Sequence, residues 1–240
     1  MPACYGDGFG RYPEQSRFLA GWLNENRSRL AAGVCCLDTA CGSGEGTYEL
    51  AQLLVGNGFP AEAIQVHGTT LEPLELFAAA HASFPHDPQR EAEYRRHIGS
   101  VFDCGAAEHI SFHQEKLCGN GVAEENRFDI ILCNGLLGGP FLHVREDLEK
   151  TIENLAGRLR PGGVLLAADR FHSGWKRRVS DESMRRMFKL CGLETLPVAE
   201  GVGGIRLKSE GSFPVTCHLS QVFKTGSTSR PRKVLHQNPS

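Results

Sequence analysis

The sequence has no apolar stretch that approaches the roughly 20 residues of a membrane-spanning helix. Its first 17 residues are polar and glycine-rich, and they have no apolar centre of the kind found in a signal peptide. Positive and negative residues nearly balance, with 26 lysines and arginines against 28 aspartates and glutamates. No global charge therefore favours nucleic acid. We expect a cytoplasmic protein that binds neither membranes nor nucleic acid.

Cysteine and histidine also have no ligand-like arrangement. The nine cysteines are an odd number and never form a Cys-x-x-Cys pair, which argues against a disulfide framework and against a zinc knuckle. Five histidines of the central region have neither metal-ligand spacing nor acidic companions: His81, His86, His97, His109 and His113. We expect no metal site.

Apolar runs alternate with helix-like patterns along the 240 residues, and 40% of the residues are hydrophobic. Strands are predicted over 34–38, 64–69, 110–113, 128–133, 164–168, 193–198 and 216–223. Helices are predicted over 13–30, from 46, from 73, over 144–159 and over 181–191, with a turn at 159–163. This alternation predicts an α/β protein with a Rossmann-like, doubly wound, mostly parallel seven-stranded sheet and helices on both faces.

The domain organisation follows from the same pattern. Residues 1–224 are predicted to form a single domain, a size that allows a substantial core. A polar, locally helical insertion near 85–108 interrupts the alternation, and we expect 225–240 to be a flexible basic tail.

The most informative segment is the glycine-rich stretch that follows the first predicted strand. That strand ends at Asp38, and the sequence continues as Thr-Ala-Cys-Gly-Ser-Gly-Glu-Gly-Thr into a helical pattern. Glycines allow a ligand to approach the backbone, and a helix N-terminus favours polar ligand groups. The carboxyl end of the first strand is where doubly wound sheets bind nucleotides.

A dinucleotide fits this loop poorly. The G-x-G-x-x-G fingerprint would need a third glycine where the chain has Thr47, and Gly46 comes one residue too early. A nicotinamide cofactor would also need an acid at the end of the second strand, where Thr70 stands. An NAD(P)-dependent oxidoreductase therefore remains only an alternative.

The loop resembles another family. An acid, two small residues and Cys-Gly-x-Gly resemble motif I of class I S-adenosylmethionine-dependent methyltransferases. Phe-Asp-Ile-Ile at 128–131 and Leu-Arg-Pro-Gly-Gly at 159–163 resemble strand 4 and the turn before strand 5 of that superfamily. This resemblance covers about residues 30–170. It implies S-adenosylmethionine as cofactor and S-adenosylhomocysteine as product.

A narrower resemblance concerns chemotaxis receptor (CheR-type) methyltransferases. Residues 40–48 are similar to their small-Cys-Ser-Ser-Gly-Glu-Glu-x-Tyr segment, and Cys133-Asn134 resembles their Cys-Arg-Asn. This similarity implies a carboxylate as methyl acceptor, on a protein or on a small molecule.

The resemblance implies a set of cofactor-binding residues at the ends of four strands. These are Asp38, Ala40, Cys41, Gly42, Ser43, Gly44 and Glu45 in the loop; Thr70, Leu71 and Glu72 after strand 2; Glu115, Lys116 and Leu117 after strand 3; and Asn134, Gly135 and Leu136 after strand 4.

Three of these positions leave alternatives open. Asp38 either lies near the ammonium group of the methionine part or braces the loop. Glu45 either binds the same ammonium or favours the helix dipole as an ordinary first-turn acid. Thr70 stands where methyltransferases place an acid for the two ribose hydroxyls, and a threonine cannot make that bidentate contact. Glu72 is the candidate replacement.

Catalytic candidates are fewer. Asn134 is expected near the methyl group or the acceptor. Arg11 follows Phe9 in a pattern that resembles the Phe-Phe-Arg of the chemotaxis family, and His172 is a candidate base after strand 5. Tyr5, Phe9, Arg11 and Tyr12 form either a lid or a disordered terminus. Thr70 also supports the alternative of a weak or inactive protein that binds S-adenosylmethionine or S-adenosylhomocysteine for regulation.

Overall fold

The computed structural model describes residues 8–117, 127–170 and 178–207. In these ranges the strands are β1 (Val34–Thr39), β2 (Ile64–Thr70), β3 (Ile110–Gln114), β4 (Phe128–Leu132), β5 (Leu159–Ala167), β6 (Leu193–Leu196) and β7 (Val202–Arg206). The α-helices are α1 (Pro13–Glu25), α2 (Glu45–Gly56), α3 (Pro73–His81), α4 (Pro88–Asp103), α5 (Arg145–Arg158) and α6 (Asp181–Leu190). None of these helices is long and apolar enough to cross a membrane.

The strands form one sheet in the order β3-β2-β1-β4-β5-β7-β6. Strands β1 to β5 pair in parallel, whereas β7 is antiparallel to both of its neighbours. The predicted α/β, mostly parallel, seven-stranded sheet is confirmed. Chain order reverses between β1 and β4, and ligands of open α/β sheets bind at the carboxyl ends of the strands beside such a reversal.

Two apolar clusters cover the two faces of the sheet. One includes buried residues of α1, α2 and α4, and the other includes those of α5 and α6. Strands β1 and β4 are buried at every residue, as expected of parallel strands covered on both faces. These two strands therefore form the buried centre of the sheet, one on each side of the chain-order reversal.

The predicted turn at 159–163 is wrong, because this segment is the first half of β5. Leu159 pairs with Phe128, and the register then shifts before Ile130 pairs with Val164. Gly162, at a φ of +82°, takes up the irregularity. The glycines resemble a turn in sequence, but here they form a bulge inside a strand.

The helix predicted over 13–30 is shorter than expected. It ends at Glu25, and the side-chain amide of Asn26 donates a 2.9 Å hydrogen bond to the carbonyl of Trp22. The same carbonyl also accepts the backbone N–H of Asn26 at 3.0 Å, so both groups of Asn26 close the helix end.

Strand β7 was not predicted, and the strand predicted over 216–223 lies outside the described residues, as does the tail 225–240. Adjacent glycines inside a short apolar segment argue against a strand. In the structure they are required by packing. A Cβ on Gly203 would lie 3.0 Å from the Leu166 side chain, and one on Gly204 would lie 2.7 Å from the Phe188 ring.

A buried acid holds the amino edge of the sheet together. Asp129 of β4 is 1% exposed and accepts hydrogen bonds from the guanidinium groups of Arg29 (2.9 Å) and Arg160 (2.8 Å). It also accepts the backbone N–H of Cys35 at 3.1 Å. The carboxylate thus joins β1, β4, β5 and the segment that precedes β1.

Replacing Asp129 with alanine should lower the free energy of unfolding by about 3 kcal/mol or more, because the two arginines and a buried N–H lose their common acceptor. Urea unfolding measures this change. The matched control is Glu153→Ala on the exposed side of α5, for which we expect a change within about 0.5 kcal/mol. Equal effects of the two substitutions would contradict the role given to Asp129.

Candidate functional site

The loop between β1 and α2 is a tight turn fixed to its neighbours. Ala40, Gly42 and Gly44 have φ values of +55°, +58° and +90°. The N–H of Cys41 donates to the carbonyl of Thr69 in β2 at 2.8 Å, and the N–H of Gly44 donates to the carbonyl of Cys41 at 2.9 Å. The loop therefore lies at the carboxyl ends of β1 and β2, beside the chain-order reversal.

The two inner glycines of this loop have different roles. A Cβ on Gly44 would lie 2.9 Å from the Cβ of Ala79 and 3.0 Å from the ring of Phe112, so this glycine allows close packing. A Cβ on Gly42 would meet no atom within 4 Å among the residues that the structure describes. The backbone at Gly42 is therefore open to a ligand.

Asp38 braces this loop. Its side chain is buried, and Oδ2 accepts a 2.8 Å hydrogen bond from the hydroxyl of Thr47 in the first turn of α2. Burial raises the pKa of Asp38 to about 7. The bond from Thr47 lowers this pKa, and the negative charges of Glu49 and Glu45 raise it further. Two roles were left open for Asp38, and the hydrogen bond that it makes in the structure is that of a residue that braces the loop. Thr47, which argues against a dinucleotide in sequence, is the donor.

Glu45 is paired with a residue that the sequence analysis did not consider. Its carboxylate lies 3.1 Å from the guanidinium of Arg90 in α4, and the same nitrogen of Arg90 donates to the hydroxyl of Ser43 at 3.3 Å. The segment expected to be an insertion near 85–108 thus contributes directly to the loop. The predicted contact of Glu45 with a ligand ammonium stays a prediction.

At the end of β2 the structure places a carboxylate that the sequence analysis missed. Thr70, itself buried, donates from its hydroxyl to the carboxylate of Glu75 at 2.7 Å and accepts the N–H of Glu72 at 3.3 Å. The side chain of Glu72 is exposed. Glu75 is the third residue of α3, which begins at Pro73, and a glutamate at this position typically turns back towards the start of its helix. That spacing is the signal that could have identified it.

Leu71 and Cys41, two further predicted residues, also lie at this edge. Leu71 is 53% exposed, and its carbonyl accepts the side-chain amide of Gln114 at 2.9 Å. The thiol of the partly exposed Cys41 donates to the carbonyl of Gly42 at 3.6 Å, within the loop itself. Burial and the Asp38 charge raise the pKa of this thiol, so it stays protonated.

Of the three predicted residues after β3, Glu115 and Leu117 make contacts with neighbouring elements. Glu115 donates its N–H to the carbonyl of Thr70 at 3.1 Å, whereas its carboxylate pairs with Arg158 at 2.9 Å. Lys116 is exposed, and Leu117 packs against the apolar cluster of α5 and α6. Their part in an adenine pocket stays a prediction.

Asn134, after β4, joins three elements. Its Oδ1 accepts the N–H of Ala168 at 2.9 Å and the side-chain amide of Gln15 at 3.1 Å, and its Nδ2 donates to Gln15 Oε1 at 2.8 Å. Gln15, in the first turn of α1, is 3% exposed. Gly135 donates its N–H to Ala168 at 2.8 Å, and Leu136 packs against the apolar cluster of α5 and α6. Gln15 could not be identified from sequence, because its partner lies 119 residues away.

The segment before α1 lies along the same edge. Phe9 stacks on the ring of His97 at 4.6 Å, and the N–H of Gly10 donates to the carboxylate of Glu49 in α2. The hydroxyl of Tyr12 accepts the N–H of Arg170, beyond β5, at 3.4 Å, and burial raises the pKa of Tyr12 to about 12. Residues 9–12 therefore extend from α4 to the end of β5, and their role as a lid stays a prediction.

The catalytic candidates are placed only in part. Arg11 lies in this segment, and its charge counteracts the rise that burial causes in the pKa of Glu49. His172 lies outside the described residues, as do Tyr5 and residues 171–177 in general. The structure thus brings Arg11 and Asn134 to the edge that carries the glycine loop.

Replacing Asp38 with asparagine should flatten the pH dependence of stability. Between pH values near 4 and 7 the folded protein keeps a proton on Asp38 that the unfolded chain releases, so the wild type loses free energy of unfolding as pH rises through this range. The loss is roughly 1.4 kcal/mol for each unit of pKa difference. Urea unfolding near pH 4.5 and near pH 7.5 measures it. An equal change in wild type and Asp38→Asn would contradict this account.

No protein-family model and no curated protein matches the chain by sequence. Solved structures match by fold. The CMeT domain of citrinin polyketide synthase aligns at 13% identity and a TM-score of 0.54, covering 81% of this chain and 52% of that one. An O-methyltransferase family protein from Burkholderia thailandensis aligns at 15% identity and a TM-score of 0.50, covering 82% and 57%. The chain thus spans little more than half the length of these structures. The chain shares a Rossmann-like α/β fold with both structures.

Proposed function

We propose that the chain is an S-adenosylmethionine-dependent methyltransferase. The observation that carries the proposal is the open backbone of Gly42, at the carboxyl end of β1 and beside the chain-order reversal. The fold likeness agrees with it but does not identify a reaction, because one fold serves many functions.

The residues around the loop fit such a cofactor. The backbone at Gly42 leaves room for a ligand, and the hydroxyl of Thr70 lies 2.7 Å from the carboxylate of Glu75, so a hydroxyl and a carboxylate are available together for ribose hydroxyls. Glu45, at the end of the loop, is the proposed contact of the ligand's ammonium group, whereas Asp38 braces the loop. When bound, the cofactor supplies an electrophilic methyl group on a positively charged sulfur.

Methyl transfer depends more on alignment than on a strong acid or base. The described residues are suited to alignment. Asn134 fixes α1 and the end of β5 to β4 through Gln15 and Ala168, and the segment with Phe9 and Tyr12 connects α4 to the end of β5. Asn134 keeps one N–H beyond these bonds with which to contact an acceptor.

The finer proposal is that the acceptor is a carboxylate, on a protein or on a small molecule. Its support is the similarity of residues 40–48 to chemotaxis receptor methyltransferases, together with the guanidinium of Arg11 in the segment that lies along the crevice edge. A guanidinium binds a carboxylate through paired hydrogen bonds and would orient it. An assay of methyl transfer to glutamate-containing peptides and to small carboxylic acids tests this class.

Calorimetric titration tests the cofactor. We expect micromolar binding of S-adenosylhomocysteine and S-adenosylmethionine and none of NAD(H). Binding of NAD(H) alone would favour the oxidoreductase alternative. Binding of the adenosyl ligands without methyl transfer to any acceptor would favour the regulatory alternative, which Thr70 in place of an acid supports. Failure of both adenosyl ligands to bind would overturn the proposal.

Gly42→Leu should abolish S-adenosylhomocysteine binding, because the side chain would occupy the space assigned to the ligand. The matched control is Gly105→Leu. Gly105 also has a positive φ of +78°, and a Cβ there would likewise meet no described atom within 4 Å, but it lies after α4, away from the loop. Both variants bear similar backbone strain, so a loss of binding confined to Gly42→Leu is the expected result. Equal affinity of the two would contradict the site.

Glu75→Gln should weaken S-adenosylhomocysteine binding by roughly 10-fold or more, because it removes the charge from the carboxylate beside Thr70. Glu72→Gln, three residues earlier and exposed, should leave the affinity near that of wild type. Titration of both variants decides between the two acids. A loss in Glu72→Gln with none in Glu75→Gln would restore the assignment made from sequence.

A further inference from the structure

Helix α4 contacts the glycine loop through two side chains one turn apart. The guanidinium of Arg90 donates to the Glu45 carboxylate at 3.1 Å and to the Ser43 hydroxyl at 3.3 Å. The hydroxyl of Tyr94 donates to the backbone carbonyl of Ser43 at 2.6 Å. These hydrogen bonds join α4 to the end of the loop and to the start of α2.

These contacts are sheltered from water. The side chains of Arg90 and Glu45 are 20% and 12% exposed, and the guanidinium lies 4.0 Å from the centre of the Phe84 ring. Tyr94 is 3% exposed and packs edge-on against Phe9 and Tyr48. Charge-assisted hydrogen bonds in such surroundings are stronger than their exposed counterparts.

Helix α4 is itself held in place near these contacts. The side chain of Asp87 accepts the N–H of Arg90 at 3.0 Å and caps the helix. The carboxylate of Glu91 accepts the N–H of Phe84 at 2.7 Å and the hydroxyl of Ser83 at 3.1 Å. These bonds therefore hold in place the first turn of α4, which carries Arg90.

A loop with this backbone loses much conformational entropy when it becomes ordered. Glycines lose more conformational freedom than other residues on ordering, and Ala40 is held at a positive φ that costs free energy. If the loop were ordered only when a ligand arrived, that cost would weaken binding. We propose that Arg90 and Tyr94 are positioning residues that hold residues 41–45 in the ligand-binding conformation before the ligand arrives. The identity of the ligand rests on the proposed function.

Two measurements test the proposal in Arg90→Met and Tyr94→Phe: hydrogen exchange of the amides of residues 41–46 in the ligand-free protein, and the affinity for S-adenosylhomocysteine. In Arg90→Met we expect loop exchange to be roughly 10-fold faster and binding roughly 10-fold weaker, which is the scale of one charge-assisted hydrogen bond. Tyr94→Phe should change both in the same direction. The amides of β4 should exchange as slowly as in wild type. A general loss of stability would instead make them exchange faster as well.

Matched controls isolate the loop contacts. Arg95→Met removes an exposed arginine of α4 that pairs with Glu91, and Tyr48→Phe removes a hydroxyl that donates to the carbonyl of Ala79 in α3. Both should resemble wild type in loop exchange and affinity. Arg90→Lys, which keeps the positive charge, should lie between wild type and Arg90→Met.

The outcomes separate the two proposals. Wild-type loop exchange and affinity in both Arg90→Met and Tyr94→Phe would overturn the positioning role. If the wild type does not bind S-adenosylhomocysteine, the proposed cofactor fails, while loop exchange in the ligand-free protein still decides the role of Arg90 and Tyr94. Should Arg90→Met fail to fold, Tyr94→Phe and Arg90→Lys give the same decision.

Discussion

The hydrogen bond from Thr47 to the buried carboxylate of Asp38 fixes the distance between the end of β1 and the first turn of α2. With both ends of the loop held, the residues between them must turn sharply, which explains the positive φ values at Ala40, Gly42 and Gly44. The same carboxylate leaves little room for a side chain at Gly46, whose Cβ would lie 3.0 Å from Asp38 Oδ2. This contact sets the two ends of the loop, and the hydrogen bonds of Cys41 to β2 and of Arg90 and Tyr94 to residues 43–45 fix the residues between them.

The neighbouring elements complete the site from outside the loop. The start of α3 brings a carboxylate to Thr70, and α4 brings a cation to Glu45. The sheet supplies the position of the site, whereas helices supply several of its charges. The absence of an acid at the end of β2 therefore does not leave that position without a carboxylate.

Sequence predicted what local patterns determine. The continuous apolar runs of β1 and β4, the spacing of apolar residues in α5 and the glycine loop all reflect periodicity or local backbone requirements. From these the order of strands and helices, and the fold class, follow. Gly42 and Gly44 were predicted in the loop, but only the structure distinguishes the glycine that packs from the one that is open.

The remainder depends on contacts between distant parts of the chain. Arg90 lies 45 residues from Glu45, and Gln15 lies 119 residues from Asn134. Strand β7 consists of residues that favour a strand only when β5 and β6 lie on either side. The segment 159–163 has a turn-like composition, and only its pairing with β4 makes it a strand.

We propose that a ligand with an adenosyl group binds at the carboxyl ends of β1, β2 and β4. The most direct measurement is a titration with S-adenosylhomocysteine followed by the amide resonances of the isotopically labelled protein. We expect saturable shifts concentrated at residues 40–45, 70–75 and 134–136. Shifts concentrated elsewhere on the sheet, or none at millimolar ligand, would contradict it.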